Sequence, residues 1–135
     1  MNIRPVNLEE DYPKLLKWWE GHGSHPMPSY VFPQGWMVES GGVEIAASFL
    51  YLDVGGRFAV VEFLTTNPAV AFSRTLVQGV KELIGHIEGV AKEQGCKFIV
   101  GFVSPNTGEE RLMQRIGYVS DQSPSHKLYA KNLCQ

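Results

Sequence analysis

The sequence is short of several things, and each shortage closes off a class of protein. It holds two cysteines, Cys96 and Cys134, in no metal-ligand spacing. That is too few for a disulfide scaffold and fits two reduced thiols in a cytoplasmic protein, with no metal site expected. Charged residues are 19%, twelve basic against fourteen acidic, and neither sign runs in blocks. The electrostatic footprint of a duplex-binding domain is absent, so no nucleic-acid partner is expected. The longest apolar run, residues 45–52, is interrupted by Ser48 and is far too short to cross a bilayer. Residues 1–5 contain no apolar signal core, so neither a membrane partner nor a secretory leader is expected. No segment repeats at a period of 20 to 50 residues. Glycine has a gap of its own: fourteen occur in the chain, yet none lies between Gly56 and Gly79.

What remains is ordinary and foldable. The 135 residues are 44% hydrophobic and 11% aromatic. That suits one domain over residues 1–135 with a core large enough to stand without staples.

Residues 2–6 read as a short strand. Asp11 is the expected N-cap of a first helix, with Pro13 in its first turn, Leu15, Leu16 and Trp19 on one face, and Gly21 as its stop. Residues 21–35 hold three prolines and three glycines, which opposes regular structure, and loops of this length often bind ligands. Three strands follow at 36–39, 43–54 and 57–66, joined by two-residue glycine turns as an antiparallel meander. A long helix over 73–94 carries Leu76, Val80, Leu83, Ile84, Ile87 and Val90 at helical spacing and stops at Gly95. Gly79, Gly85 and Gly89 inside it each cost roughly 1 kcal/mol relative to alanine; close packing on a sheet would account for them. A strand at 97–103, a helix at 106–116 ending at Gly117, and short strands at 118–121 and 126–131 complete the chain. The order β-α-β-β-β-α-β-α-β-β implies an α/β fold, with a mixed, mostly antiparallel sheet flanked by helices.

The crossover from the strand ending at Thr66 puts the start of the long helix at that strand's carboxyl end. Free amides and the helix dipole favour an anion there. Open α/β sheets hold ligands at such strand ends. A ligand is therefore expected between Leu64 and Arg74, with Ser104 to Thr107 on the neighbouring strand end.

Two local patterns resemble the GNAT superfamily of N-acetyltransferases. Asn106-Thr107-Gly108-Glu109-Glu110-Arg111-Leu112-Met113-Gln114-Arg115-Ile116-Gly117-Tyr118 is similar to that family's closing motif of an Asn, a short helix and Gly-aromatic. Glu62-Phe63-Leu64-Thr65-Thr66-Asn67-Pro68 resembles its strand leading into the cofactor helix. The opening Ile3-Arg4-Pro5 is also usual in it, so the resemblance covers nearly the whole chain. It implies acetyl-CoA as co-substrate, bound where two parallel strands splay apart. It implies direct attack by an amine, aided by a base and by a tyrosine that protonates the leaving thiolate. Two positions depart from the pattern. The pyrophosphate loop reads Pro68-Ala69-Val70-Ala71-Phe72-Ser73-Arg74-Thr75, without glycine, and Met113 stands where the tyrosine is expected.

Several residues follow as candidates. Glu62, alternating with Val60 and Leu64, is the candidate base, against the alternative of a solvated or ion-paired strand residue. Leu64, Thr65 and Thr66 would lend backbone groups to a pantetheine arm. Ser73, Arg74 and Thr75 would meet the pyrophosphate, although Ser73 also suits a plain N-cap. Arg74 is a cation at a helix start, a penalty that an anionic ligand would remove. Asn106 contacts CoA or caps the helix after it. His25, Tyr30 and Phe32 either recognise the acceptor or pack their loop down. The acceptor expected is a small-molecule amine or a peptide, and a homodimer is compatible with the chain. The alternative function is a binding or assembly module on the same fold, without transferase activity.

Overall fold

The structure is a computed structural model that describes residues 1–104 and 107–120. These fall into two units, residues 1–102 and a second that begins at Val103. The first contains β1 (Asn2–Pro5), α1 (Leu8–Gly21), a 3-10 turn (Ser29–Val31), β2 (Gly35–Ser40), β3 (Val43–Leu52), β4 (Phe58–Thr66), α2 (Arg74–Glu93) and β5 (Phe98–Gly101). The second contains α3 (Gly108–Arg115). One sheet runs β1-β2-β3-β4-β5, antiparallel throughout except that β5 lies parallel to β4. This is the mixed, mostly antiparallel sheet expected from the order of elements. Residues 118–120 form no strand, and the rest of the two terminal strands read from the sequence, Asp121 and residues 126–131, lies outside the described residues.

Strand alternation sorts the core into two faces. Met37, Ala47 and Phe49 join Leu15, Trp18, Trp19 and Phe32 under α1. Trp36, one residue from Met37, turns to the other face and meets the His86 ring of α2 edge-on at 5.3 Å. There α2 buries Leu76, Val80, Leu83, Ile84 and Ile87. The hydrophobic stripe is buried as the spacing required as far as Ile87, whereas Val90 is only half-buried and Ala91 is buried in the last turn, and Gly95 ends the helix at φ 88. Gly79 packs closely, because an added Cβ would lie 3.3 Å from the Ile45 Cγ2 methyl. Gly85 and Gly89 do not: a Cβ at either meets nothing within 4 Å, so close packing explains one of the three glycines.

Three local expectations are corrected. Helix α1 is capped by Asn7, whose side chain accepts from the Glu9 N–H, and not by Asp11. Asp11 is 1% exposed. Its carboxylate accepts from Arg4 at 2.8 and 2.9 Å and from the Asn7 N–H at 2.8 Å. It reaches back to the helix start much as a capping-box acid does. The same Arg4 also bonds Glu39 and Glu44, so one guanidinium ties β1, α1, β2 and β3 together. Its planar fork of donors suits such multiple pairing. At its other end Gly21 is the last helical residue, His22 is the C-cap, and the left-handed residue beyond it is Gly23 (φ 67), not Gly21. The Gly23 and Ser24 amides turn back to the Glu20 and Trp19 carbonyls. Finally, β3 ends at Leu52 and not at residue 54, because the Asp53 side chain accepts the Arg57 and Phe58 amides. The β3–β4 connection is thus longer than a two-residue turn, whereas Gly41 and Gly42 both have positive φ, as the β2–β3 hairpin requires.

Candidate active site

The decisive irregularity lies in β4. Its ladder with β3 shifts register between Ala47 and Phe49, whose partners are Thr65 and Glu62. Phe63 sits at this bulge with φ 55, the left-handed region that a bulky side chain rarely adopts. Side chains hold the strain. The Phe63 N–H donates to its neighbour's Glu62 Oε1 at 3.1 Å, and the Ser48 hydroxyl donates to the Glu62 carbonyl at 3.1 Å. Thr65 Oγ1 donates to the Phe63 carbonyl at 3.0 Å and accepts from Trp19 Nε1 at 2.9 Å.

Near the same point β4 loses its parallel neighbour. Pairing with β5 runs from Phe58↔Phe98 to Val61↔Gly101 and ends there, while β4 continues to Thr66. Beyond Val61, β4 has an edge that β5 does not cover.

The bulge also re-aims side chains. Phe63 packs against Phe32 and Tyr51, at ring separations of 5.3 and 6.2 Å, on the α1 face. Glu62 shares that face, since its cross-strand partner is Phe49. The alternation that set Glu62 and Leu64 on one face is therefore broken, and Leu64 turns the other way. Burial pushes the Glu62 carboxyl above its usual value, and the Phe63 N–H draws it partly back. The Tyr51 phenol is pushed up to about 12, first by burial and then by the Glu62 charge. Tyr51 Oη donates to the Val31 carbonyl at 3.1 Å, fastening the 21–35 loop over this face.

The other candidates separate. Phe32 is 8% exposed, stacked with Trp19 and tilted on Phe49, so it anchors the loop in the core. His25 is exposed and Tyr30 is 60% exposed on the same loop. Ser73 caps α2, accepting from the Leu76 N–H at 3.3 Å, with Arg74 and Thr75 exposed in the first turn. Asn67 shapes the glycine-free loop before them. Its Oδ1 accepts the Ala69 amide, and its Nδ2 donates to the Glu44 carbonyl. Asn106 lies outside the described residues. Thr107 caps α3, with its hydroxyl accepting from the Glu110 N–H, and Met113 lies within that helix in the second unit. No group of three metal-ligating side chains occurs among the described residues, and no described helix is long and apolar enough to cross a membrane.

Two residues of the site escaped the sequence reading. Nothing in the sequence marks Tyr51, and only the register places it beside Glu62. His22 lies in the irregular 21–35 segment by sequence, and only the fold brings its Nε2 to 2.8 Å from the Thr66 carbonyl oxygen.

No family model matches the sequence, and no curated protein matches it. Solved structures do match. The aminoglycoside N-acetyltransferase AAC(6')-Iy, in complex with a CoA-containing bisubstrate analogue, superposes with a TM-score of 0.69 at 19% identity, covering 97% of each chain. The fold is that of the GNAT N-acetyltransferases. Two further GNAT-like structures agree. An aminoglycoside acetyltransferase from an uncultured soil metagenomic sample, solved with sisomicin, has a TM-score of 0.70 at 11% identity, covering 97% of this chain and 96% of that one. A probable acetyltransferase has a TM-score of 0.66 at 15% identity, covering 100% and 99%.

Proposed function

We propose that this protein is one GNAT domain over residues 1–135 that transfers an acetyl group from acetyl-CoA to the primary amine of a small molecule or a protein N-terminus. The observation that carries the reading is the bare edge of β4 beside the half-buried Glu62 carboxylate. A bare strand edge accepts an extended, amide-bearing chain by backbone pairing. The pantetheine arm of CoA is such a chain, and residues Leu64, Thr65 and Thr66 would receive it. The amides at the start of α2, with Ser73, Arg74 and Thr75, would meet the pyrophosphate, and Asn106 is assigned to the same co-substrate.

Glu62 is assigned the base. A protonated amine is not a nucleophile, and a carboxylate with a raised pKa can take its proton directly or through one water. The amine nitrogen then attacks the thioester carbonyl. The C–S bond breaks, the acetyl group passes to nitrogen, and CoA leaves as a thiolate that regains a proton from water. Met113 lends no proton, and a CoA thiol needs little help near neutral pH. No enzyme cysteine enters the scheme. Tyr30 and His25 stand on the loop assigned to the acceptor, while Phe32 supports that loop from beneath. The CoA and aminoglycoside complexes among the similar structures support a small-molecule amine. A cytoplasmic location, where acetyl-CoA and reduced thiols coexist, goes with this reading.

One observation favours a second reading, a binding module that has lost transfer. The loop from Pro68 to Thr75 lacks the glycines that let amides close around a phosphate. Calorimetry and thermal shift with acetyl-CoA decide between them. Ligand binding to the folded state raises its stability. Saturable binding with a rise in Tm is the expected result, and no response at millimolar acetyl-CoA overturns the transferase reading.

A further inference from the structure

His22 is the C-cap residue of α1, its N–H bonded to the Trp18 and Trp19 carbonyls, with Gly23 at φ 67 just beyond. Its backbone is thus set firmly at the end of a helix while its side chain stands in solvent. The imidazole Nε2 lies 2.8 Å from the Thr66 carbonyl oxygen and 3.1 Å from Thr66 Oγ1. The carbonyl contact requires a proton on Nε2, so this nitrogen is the donor.

Which edge that carbonyl faces follows from the ladder. Asn67 N–H donates to the Ile45 carbonyl at 2.8 Å, so Asn67 turns its main-chain groups towards β3. Successive residues of an antiparallel strand alternate in this respect. The Thr66 N–H and C=O therefore point the opposite way, to the edge that β5 leaves uncovered. The ring sits on a main-chain acceptor of the ligand edge. The end of α1 touches this region a second time, because Gly21 lies so close to Pro68 that an added Cβ would stand 2.7 Å from the ring Cγ.

We propose that His22 is an exchangeable cap on the Thr66 carbonyl. It satisfies the bare edge of β4 when no ligand is present and is displaced when an amide N–H of a CoA pantetheine arm pairs there, a step that rests on the acetyl-CoA reading above. The exchange is one hydrogen bond for another. His22 is exposed, so its ring is rehydrated at once when it swings away, and no buried group is orphaned. The cap lowers the apparent affinity for CoA by the free energy of the bond that must first break.

The test compares CoA binding by calorimetry in the full-length wild type, His22→Ala and Thr66→Val. His22→Ala removes the cap. Thr66→Val keeps the backbone carbonyl and the β-branched shape but removes the hydroxyl that helps hold the ring. His22→Ala is expected to bind CoA about three- to tenfold more tightly, the worth of one ordinary net hydrogen bond, and Thr66→Val by a smaller factor in the same direction. A merely structural role for His22 would weaken binding instead. In the wild type, the His22 ring signals in NMR should move as CoA saturates the protein. If the wild type binds CoA and a folded His22→Ala binds it equally or less tightly, the cap is overturned and the acetyl-CoA reading stands. Should His22→Ala fail to fold, Thr66→Val and the NMR titration decide in the same way. If neither the wild type nor the variants bind CoA at millimolar concentration, the acetyl-CoA reading falls and the cap with it.

Discussion

Trp19 Nε1 donates to the Thr65 hydroxyl at 2.9 Å, and that hydroxyl donates in turn to the Phe63 carbonyl at 3.0 Å. One small side chain thereby joins α1 to the bulge that shapes β4. Thr65→Val keeps the volume but leaves a buried indole N–H and a bulge carbonyl without this partner. The expected loss is about 1–3 kcal/mol in denaturant-derived stability, whereas Thr65→Ser should retain most of it. Equal stability of the valine variant and the wild type would show that the bulge stands without this link.

Glu62→Gln separates chemistry from binding. Turnover should fall by about 10²- to 10⁴-fold, the usual range for a general base, with CoA affinity nearly unchanged. Wild-type activity should fall as pH drops through the raised pKa of Glu62, and the glutamine variant should lose that acid limb.

The same substitution has an opposite effect on stability. A carboxyl whose pKa is higher folded than unfolded binds its proton more tightly in the folded state, so stability falls as pH rises from the ordinary carboxylate value through the raised one. At neutral pH the charged, half-buried Glu62 costs stability. Glu62→Gln should therefore melt at a higher temperature near neutrality, and the gap should close in acid, where both states are protonated. A gain that persists unchanged at low pH would point to packing and not to charge.

Asp11 gives the reverse sign. The Arg4 guanidinium holds its carboxyl below the usual value, so its contribution is present above that value and is lost as pH falls through the depressed one. Asp11→Asn should cost about 3 kcal/mol near neutral pH, the low end for removing one partner of a buried pair, and much less in acid. Urea titrations at the two pH values measure the difference.

In α2, Gly85→Ala and Gly89→Ala should each stabilise the protein by about 0.5–1 kcal/mol, since each position is open and alanine is the better helix former. Gly79→Ala should gain less or lose, because the Ile45 methyl must move first.

Most of the architecture was legible because it rests on local rules. The α2 stripe, its Ser73 cap, the Gly95 and Gly117 stops and the Gly41-Gly42 hairpin all follow from period, capping and φ. The start of α1 misled because Asp11 has the chemistry of a cap, yet its partner, Arg4, sits on another element. The site was legible only in outline. Glu62 and the Thr66 end of β4 stand where the strand-to-helix passage pointed. Which way Glu62 faces depends on Phe63, and nothing in a Phe announces a left-handed residue. Tyr51 and His22 reach the site through register and through a helix end, which are long-range facts.

The contact between Gly21 and Pro68 couples two segments that the chain separates by more than forty residues. Any side chain at position 21 would press on the loop that leads into α2. Substitution there would displace either Pro68 or the end of α1, since the two cannot both keep their places. Position 21 is thus a remote adjustment point, from which the terminus of one helix can shift the approach to another.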